Sequence, residues 1–421
     1  MKPIRHSWRT LVRCALLIAL VLAGGGVLLP AAAQTPDANA DLFRPEVAKP
    51  LSAADEFIKA GKFGEAQLKI REAEQVPDRT PLENYIINRM RGIAAIGMGD
   101  SATASRSFEA VIASGRSPIG EQLKLAEALA VMYFKAGDYP KAVTWTERYL
   151  KDGGTNPEMR MQLVRSRYLA EDYAGAATDL RAMLDADEKA KVTPPLDRLQ
   201  MLASCYVKLN DGQGYVFVLD KLLVYHPKRD YWVDAIRRVE SRPGFPQALT
   251  LDVLRLQEAT GSLTVAAQYT AMAQLALKVG LPGEAKRIVD KGFTTGVLGT
   301  GPEAEAQRKL RDAATKQVAD DERLFAQNAK DAGAAKDGSA LVNVGYAMVS
   351  AGQAEAGLAL MEQGIQKGGI SRADEAKLHL AIAYLAAGQK AKAIQAFQGV
   401  QGDGTADLAR LWLIHAQRSP S

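Results

Sequence analysis

The chain has 421 residues, of which 47% are hydrophobic and 24% charged, so it can bury a large core and is not intrinsically disordered. Its formal net charge of +5 comes mostly from the first 33 residues, because the remainder contains 49 basic and 48 acidic side chains. A chain so close to neutral has no bulk attraction for nucleic acid or for an anionic lipid surface, which argues against both as partners.

Residues 1–33 have the layout of a secretory signal peptide. Four basic residues precede an apolar stretch of 16 residues, which ends in proline and the run of three alanines closing at Ala33. Because a membrane-spanning helix needs about 20 apolar residues, we predict cleavage near Ala33 and Gln34 and a periplasmic location. An uncleaved inner-membrane anchor is the alternative. No later segment is long and apolar enough to span a bilayer, and Cys205, the only cysteine left after cleavage, is expected to be buried and unreactive.

A short motif recurs along the remaining chain. Residues 34–50 contain three prolines and are predicted to form an extended leader, and beyond them AGDYPKA at 136–142 matches AGQKAKA at 387–393. Successive matches are 34 to 39 residues apart, or about twice that distance where a degenerate unit intervenes, so we predict about ten units. The second residue of each match is Gly61, Gly99, Gly137, Glu171, Asn210, Gly280, Gly352 or Gly388.

Each unit has the pattern of two short helices joined by a tight turn. Apolar residues recur at helical spacing before and after the turn, as at Leu125, Leu129 and Met132. The glycine or asparagine at the turn tolerates the left-handed backbone that ends a helix. Since no segment alternates in the manner of a strand, the sequence predicts an all-α fold of antiparallel helix pairs.

These features resemble the tetratricopeptide repeat, which places small residues twelve apart where its two helices touch. The pairs are Ala54 and Ala66, Gly92 and Ala104, Ala130 and Ala142, Ala273 and Ala285, Gly345 and Gly357, and Ala381 and Ala393. The resemblance implies an α-solenoid, a right-handed superhelix with the first helix of each pair on the concave side. A Sel1-like or other helical-pair repeat is the alternative.

The match to the repeat varies along the chain, which divides it into segments. Residues 51–227 and 336–402 fit the pattern, whereas 228–335 fit poorly and are interpreted as degenerate helical repeats. Residues 403–421 contain a final lone helix, predicted from Thr405, whose apolar side would cap the open end of the array.

No catalytic motif is present. The sequence contains no HExxH, CxxC, GxSxG or phosphate-binding loop, and its histidines have no partners at metal-ligand spacing. We therefore predict a non-enzymatic protein without cofactor or metal. An enzyme with an unrecognised site is the remaining alternative.

Two surfaces are candidates for binding. The concave positions implied by the resemblance suit an extended peptide, because they mix polar, aromatic and long flexible side chains. They are Lys124, Glu127, Val131, Phe134, Met161, Gln162, Arg165, Tyr168, Gln200, Ser204 and Lys208. The second surface combines aromatic and basic residues that could stack on a sugar, or else fill an irregular junction: Tyr231, Trp232, Arg237 and Arg238.

From these features we predict a periplasmic scaffold or adaptor that binds a peptide segment or protein partner in an envelope complex. The alternative is a solenoid that recognises a polysaccharide or assists its export, in which case the aromatic and basic surface would carry the function.

Overall fold

The computed structural model describes residues 42–418, so the predicted signal peptide lies outside it. The described residues form 20 α-helices and one short 3-10 helix, without any β-strand. They divide into two compact units on either side of residue 186. The prediction of an all-α fold built from stacked antiparallel helix pairs is confirmed.

Unit 1 ends within the eighth helix, and unit 2 begins there. The helices that start in unit 1 are Pro45–Lys59 (α1), Phe63–Glu74 (α2), Pro81–Gly97 (α3), Ser101–Ala113 (α4), Ile119–Ala136 (α5), Tyr139–Lys151 (α6), Glu158–Leu169 (α7) and Tyr173–Lys189 (α8). The helices of unit 2 are Leu196–Lys208 (α9), Gly212–Tyr225 (α10), Arg229–Glu240 (α11), Thr250–Ala259 (α12), Ala266–Lys278 (α13), Pro282–Thr294 (α14), Ala304–Ala334 (α15), Ser339–Ser350 (α16), Ala354–Lys367 (α17), Ala373–Ala386 (α18), Lys390–Gln398 (α19) and Thr405–Arg418 (α20).

The turns of the repeat have one shared chemistry. All eight positions used to measure the repeat have a positive φ, between 54° at Asn210 and 92° at Gly352. In several units an aspartate follows and caps the next helix: the Asp138 side chain accepts a hydrogen bond from the backbone N–H of Lys141, and Asp211 does the same for Gly214. The left-handed residue ends one helix and the aspartate starts the next, which explains why so short a motif fixes the helix pair.

Small residues let the two helices of each pair approach closely. All six pairs named from the sequence are buried. At the α16–α17 contact, a Cβ on Gly345 would lie 2.5 Å from the carbonyl oxygen of Gly357, and a Cβ on Gly357 would lie 2.4 Å from that of Gly345. Because both obstacles are backbone atoms, only glycine fits at this contact.

In unit 1 the core is divided into successive clusters. One cluster joins α1, α2 and α3, including Val47, Leu51 and Ile70, and a second joins α3 to α6 around Phe108 and Leu129. Most close packing is between helices that follow each other in sequence. This is the expected arrangement of a repeat array, in which each unit buries its apolar face against its neighbours.

In unit 2 the core is one continuous cluster, which runs from Leu219 in α10 to Ala416 in α20. The last helix packs on α18 and α19 and also returns to contact α10, α11 and α12. Six consecutive residues of α12, from Leu251 to Leu256, are buried, so this helix has no solvent-facing side over most of its length. The predicted capping helix starts at Thr405 as expected, but it joins distant helices of unit 2 rather than covering an open end.

Two segments differ from the sequence prediction. The leader predicted over 34–50 is helical from Pro45, because proline at the first helical position has its φ already set and needs no amide partner. The degenerate helix pair expected between Gly280 and Gly352 is replaced over Ala304–Ala334 by α15, a single helix of 31 residues. The middle of α15 contains no glycine or proline that could form the turn.

Candidate binding site

The predicted concave residues of unit 1 lie on α5 and α7, the first helices of consecutive pairs. Lys124 is exposed, and Phe134 is half-buried with its ring 5.6 Å from that of Tyr139. Glu127 is half-buried and accepts a hydrogen bond from Nδ2 of Asn156 at 2.6 Å. This part of the face is therefore mixed in character, as expected, but Glu127 already has a partner.

On α7 the predicted residues are less accessible than those of α5. Met161 and Arg165 are half-buried, and the ring of Tyr168 packs edge-on against Tyr173 at 5.3 Å. Gln162 is only 8% exposed, and its Nε2 has no hydrogen-bond partner among residues 42–418. A buried amide without a partner is costly, so Gln162 is packed into the structure at a loss of hydrogen bonding.

The remaining predicted concave residues belong to unit 2. Gln200 and Lys208 lie on α9 and are exposed, while Ser204 is half-buried. Nε2 of Gln200 donates to the hydroxyl of Tyr231 at 3.1 Å. The predicted residues are thus distributed over two units, and unit 1 holds eight of the eleven on α5 and α7.

The tryptophan of the predicted aromatic and basic surface is not exposed to solvent. Trp232 is 5% exposed and lies in the continuous core of unit 2, with its ring 6.2 Å from that of His415. Arg237 and Arg238 both bind Asp234, and they do so within α11. The structural interpretation of Trp232 therefore holds, and the ring is not available to stack on a sugar.

A cavity of about 510 Å³, which was not predicted from the sequence, opens inside unit 2. It is built by five helices, α12, α14, α16, α18 and α20, which the return of α20 brings together. One part of its wall is charged and another part is apolar or aromatic. The residues that line it include Arg255, Glu258, Glu284, Arg287, Tyr346, Val349, Ile382, Leu385, Trp412 and His415.

Arg255 is the centre of the charged wall. Its Nε and Nη2 donate to the two carboxylate oxygens of Glu284 at 2.8 and 2.6 Å, and its Nη1 donates to Oδ1 of Asp252 at 2.7 Å. The guanidinium lies 4.9 Å from the ring centre of Tyr346, which in turn stacks on His379. Both side chains of this bidentate pair are almost fully buried. Such a pair fixes the position of α12 relative to α14.

His379 links this cluster to α18. Its Nε2 lies 2.9 Å from Oδ1 of Asp252, a distance that places a proton on Nε2 as the donor. Burial alone would raise the pKa of Asp252, but the charges of His379 and Arg255 outweigh that effect and lower the pKa to about 2. Asp252 is therefore ionised in the folded protein throughout the physiological range.

A second charged group lies at the edge of the cavity. Arg287 binds both oxygens of Glu258 through Nη1 and Nη2 at 3.1 and 3.2 Å, and Nζ of Lys291 lies 2.5 Å from the same carboxylate. Burial would raise the pKa of Glu258, but the two cations more than offset it and lower the pKa. Two positive side chains thus share one negative one.

The apolar and aromatic part of the cavity wall contains His415 beside Trp412, with their ring centres 5.7 Å apart. Burial and the nearby charge of Arg418 lower the pKa of His415, so its ring is neutral at pH 7. Because the charged side chains of the cavity are held in fixed pairs, the cavity is suited to binding, and its residues give no indication of catalysis.

The sequence contained one signal for this site. Asp252 and Arg255 stand three apart in LDVLRLQ, and the other residues from 251 to 256 are all apolar. Charges in such a setting must be buried and paired, but their partners lie up to 127 residues away and could not be read from local pattern. Among the described residues no cluster has the composition of a metal site, and no helix could cross a membrane.

The sequence and fold resemble known repeat proteins in both units. A family model described as tetratricopeptide repeat matches residues 89–157 and 345–407. A search of curated proteins gave no significant match. The match at 89–157 covers α4, α5 and α6, and the match at 345–407 covers α17, α18 and α19, where the turn glycines and small-residue contacts described above are found.

Solved structures match this chain at low identity and with low TM-scores. The structure described as Naa15/Naa10 bound to HypK-THB is 16% identical, with a TM-score of 0.34, over 84% of this chain and 57% of that one. A tetratricopeptide repeat protein from Parabacteroides merdae ATCC 43184 is 13% identical, with a TM-score of 0.28, over 80% and 98%. The TPR2AB domain of yeast Sti1 in its pHSP90 complex is 14% identical, with a TM-score of 0.22, over 71% and 100%. This chain spans little more than half of the first of these proteins, and no TM-score is high enough to carry a statement about function.

Proposed function

Because the chain is a tetratricopeptide repeat protein, we propose that it is a non-enzymatic periplasmic scaffold that holds a segment of a protein partner in an envelope complex. Repeats of this kind form interaction surfaces, and their fold fits a protein-binding scaffold. The export part of the proposal comes from the signal-like layout of residues 1–33.

We place the partner on α5 and α7 of unit 1. The observation that carries this is the pair of cations on that face: Lys124 and Arg165 have no salt-bridge partner among residues 42–418. Arg89 and Arg91 on α3, by contrast, are engaged with carboxylates. Together with half-buried Met161 and Tyr168 on α7, two cations without a salt bridge favour an extended segment with an acidic side chain and an apolar neighbour.

The test is site-specific crosslinking in living cells. A photo-reactive amino acid replaces Met161 on the proposed face, and the control carries it at Thr178, an exposed position of α8. We expect a discrete adduct from position 161 only, which Lys124→Ala combined with Arg165→Ala reduces. Equal adducts from both positions, or none from either, would contradict the proposed surface.

The same preparation tests the location. The crosslinked protein is expected in the periplasmic fraction with an N-terminus near Gln34, determined by N-terminal sequencing. A chain that keeps Met1 and stays with the inner membrane would support the anchor instead, without affecting the assignment of the partner surface.

A further inference from the structure

The cavity of unit 2 has the size and two-sided character of a small-molecule site. Its volume of about 510 Å³ lies within the range of roughly 300–1,000 Å³ that such sites occupy. Val349, Ile382, Leu385 and Trp412 supply an apolar wall, and Arg255, Glu258, Glu284 and Arg287 supply a charged one. A ligand that matched both walls would need an apolar body and one polar end.

The charges around Arg287 favour an anion. Both oxygens of Glu284 are bound by Arg255, and both oxygens of Glu258 are bound by Arg287, so neither carboxylate is left to attract a cation. Arg255 is shared by two carboxylates, those of Glu284 and Asp252, whereas the single carboxylate of Glu258 is shared by Arg287 and Lys291, so the excess of positive charge is local to Arg287.

Arg287 also has donors to spare. A guanidinium has five N–H groups, and two of its nitrogens account for the contacts with Glu258. Its side chain is 51% exposed, so the remaining N–H groups can reach a ligand without breaking the existing pair. Carboxylates are the small anions that a guanidinium binds best, often through two parallel hydrogen bonds.

From these features we propose that the cavity of unit 2 binds a small amphipathic carboxylate, with its apolar body between Ile382, Leu385 and Trp412 and its carboxylate at Arg287. The proposal is independent of the partner surface on unit 1, since each involves a different unit and each test uses different variants.

The experiment is isothermal titration calorimetry of the purified full chain with octanoate, at physiological ionic strength. Octanol and octylammonium have the same apolar body and serve as matched probes. We expect saturable binding of octanoate, with octanol at least about 10-fold weaker because it lacks the charged hydrogen bonds. Octylammonium should not bind. Equal binding of all three probes, or no saturable binding of octanoate, would overturn the proposal.

Variants then separate the two ends of the ligand. Arg287→Gln should weaken octanoate about 10-fold or more, whereas Arg311→Gln, a similarly exposed arginine paired with Asp290, should leave it unchanged. Leu385→Trp fills the apolar end and should abolish binding of octanoate and octanol together. Thermal unfolding monitored by circular dichroism verifies that each variant is folded. An equal loss in the Arg287 and Arg311 variants, or unchanged binding in a folded Leu385 variant, would contradict the assigned site.

Discussion

The two units use the same repeat but differ in how far their contacts reach along the chain. In unit 1 the apolar clusters follow one another, and packing is mainly between successive helices. In unit 2 one cluster extends from α10 to α20, and Asp252 and His379, 127 residues apart, are in direct contact. The difference comes from the return of α20 to α10, α11 and α12.

The comparison shows what closure adds to a repeat array. An open stack remains quasi-one-dimensional, so a local change should stay local. A closed stack shields an interior, where charges are buried and a cavity can form. The open helix face of unit 1 suits a partner segment, while the enclosed space of unit 2 suits a small ligand.

The largest effect should come from removing the buried cation of unit 2. Arg255→Ala leaves the Glu284 carboxylate buried without a partner, which typically costs about 3–5 kcal/mol. Because the core of unit 2 is continuous, hydrogen exchange followed by mass spectrometry should show faster exchange in the helices from α11 to α20. The exchange rates of α1 to α6 should not change.

A matched variant keeps this prediction specific. Arg311→Ala removes an arginine that is 48% exposed and paired with Asp290, and it should cost less than about 1 kcal/mol. Chemical denaturation gives both free energies of unfolding. If faster exchange in the Arg255 variant is confined to α12, the closed unit is not cooperative and the contrast with unit 1 fails.

The corresponding variant in unit 1 should act locally and depend on pH. Glu83 is fully buried, caps α3 with Thr80, and binds Arg44 through Nε and Nη2 at 3.0 and 2.8 Å. The hydrogen bonds from Arg44 outweigh burial and lower the pKa of Glu83 from 4.5 to about 2. Glu83→Gln should cost about 2 kcal/mol at pH 7 and speed exchange only in α1 to α3.

The sign of the pH dependence follows from the direction of that shift. A carboxyl group with a lowered folded pKa adds stability above its unfolded pKa, here near 4.5, and loses it as pH falls toward 2. The stability difference between wild type and Glu83→Gln should therefore be constant above pH 5 and shrink below pH 4.5. Glu72→Gln, in an exposed pair with Lys69, should show no such change.

The local features of both units could be predicted from the sequence because they depend on neighbours. The turn at Gly137 needs only a residue that tolerates positive φ and an aspartate after it, and the contact of Gly345 with Gly357 spans twelve positions. Such signals identified eight units. The concave side chains could be named on the same basis, but their exposure could not, as the burial of Gln162 shows.

The features that long-range packing determines could not be predicted. Trp232 lies beside basic residues in the sequence, which suggested a surface, yet α20 brings His415 against it and closes the core there. The cavity depends on the same return, since no stretch of local sequence encodes the approach of α12 to α16 and α18. Only the pair of Asp252 and Arg255 within α12 indicated from the sequence that charged side chains are buried.

The smallest effect concerns the surface contacts that accompany closure. Nη1 of Arg242 lies 2.6 Å from Oδ2 of Asp407, across 165 residues, but the arginine side chain is 59% exposed. A double-mutant cycle with Arg242→Ala and Asp407→Ala should give a coupling of about 0.5 kcal/mol that disappears in 1 M salt. The local pair of Lys309 and Glu305, with side chains 75% and 76% exposed, is the control, and its coupling should be no larger than about 0.5 kcal/mol.

This small coupling separates two accounts of closure. If apolar burial holds α20 in place, through fully buried Leu408 and Leu411 and the ring of Trp412 stacked on Phe397, loss of the ion pair leaves unit 2 closed. Exchange in α20 should then be unchanged in the double variant. A coupling above about 2 kcal/mol, or rapid exchange of α20 without the pair, would mean that surface charge holds the unit closed, and salt would then open the cavity.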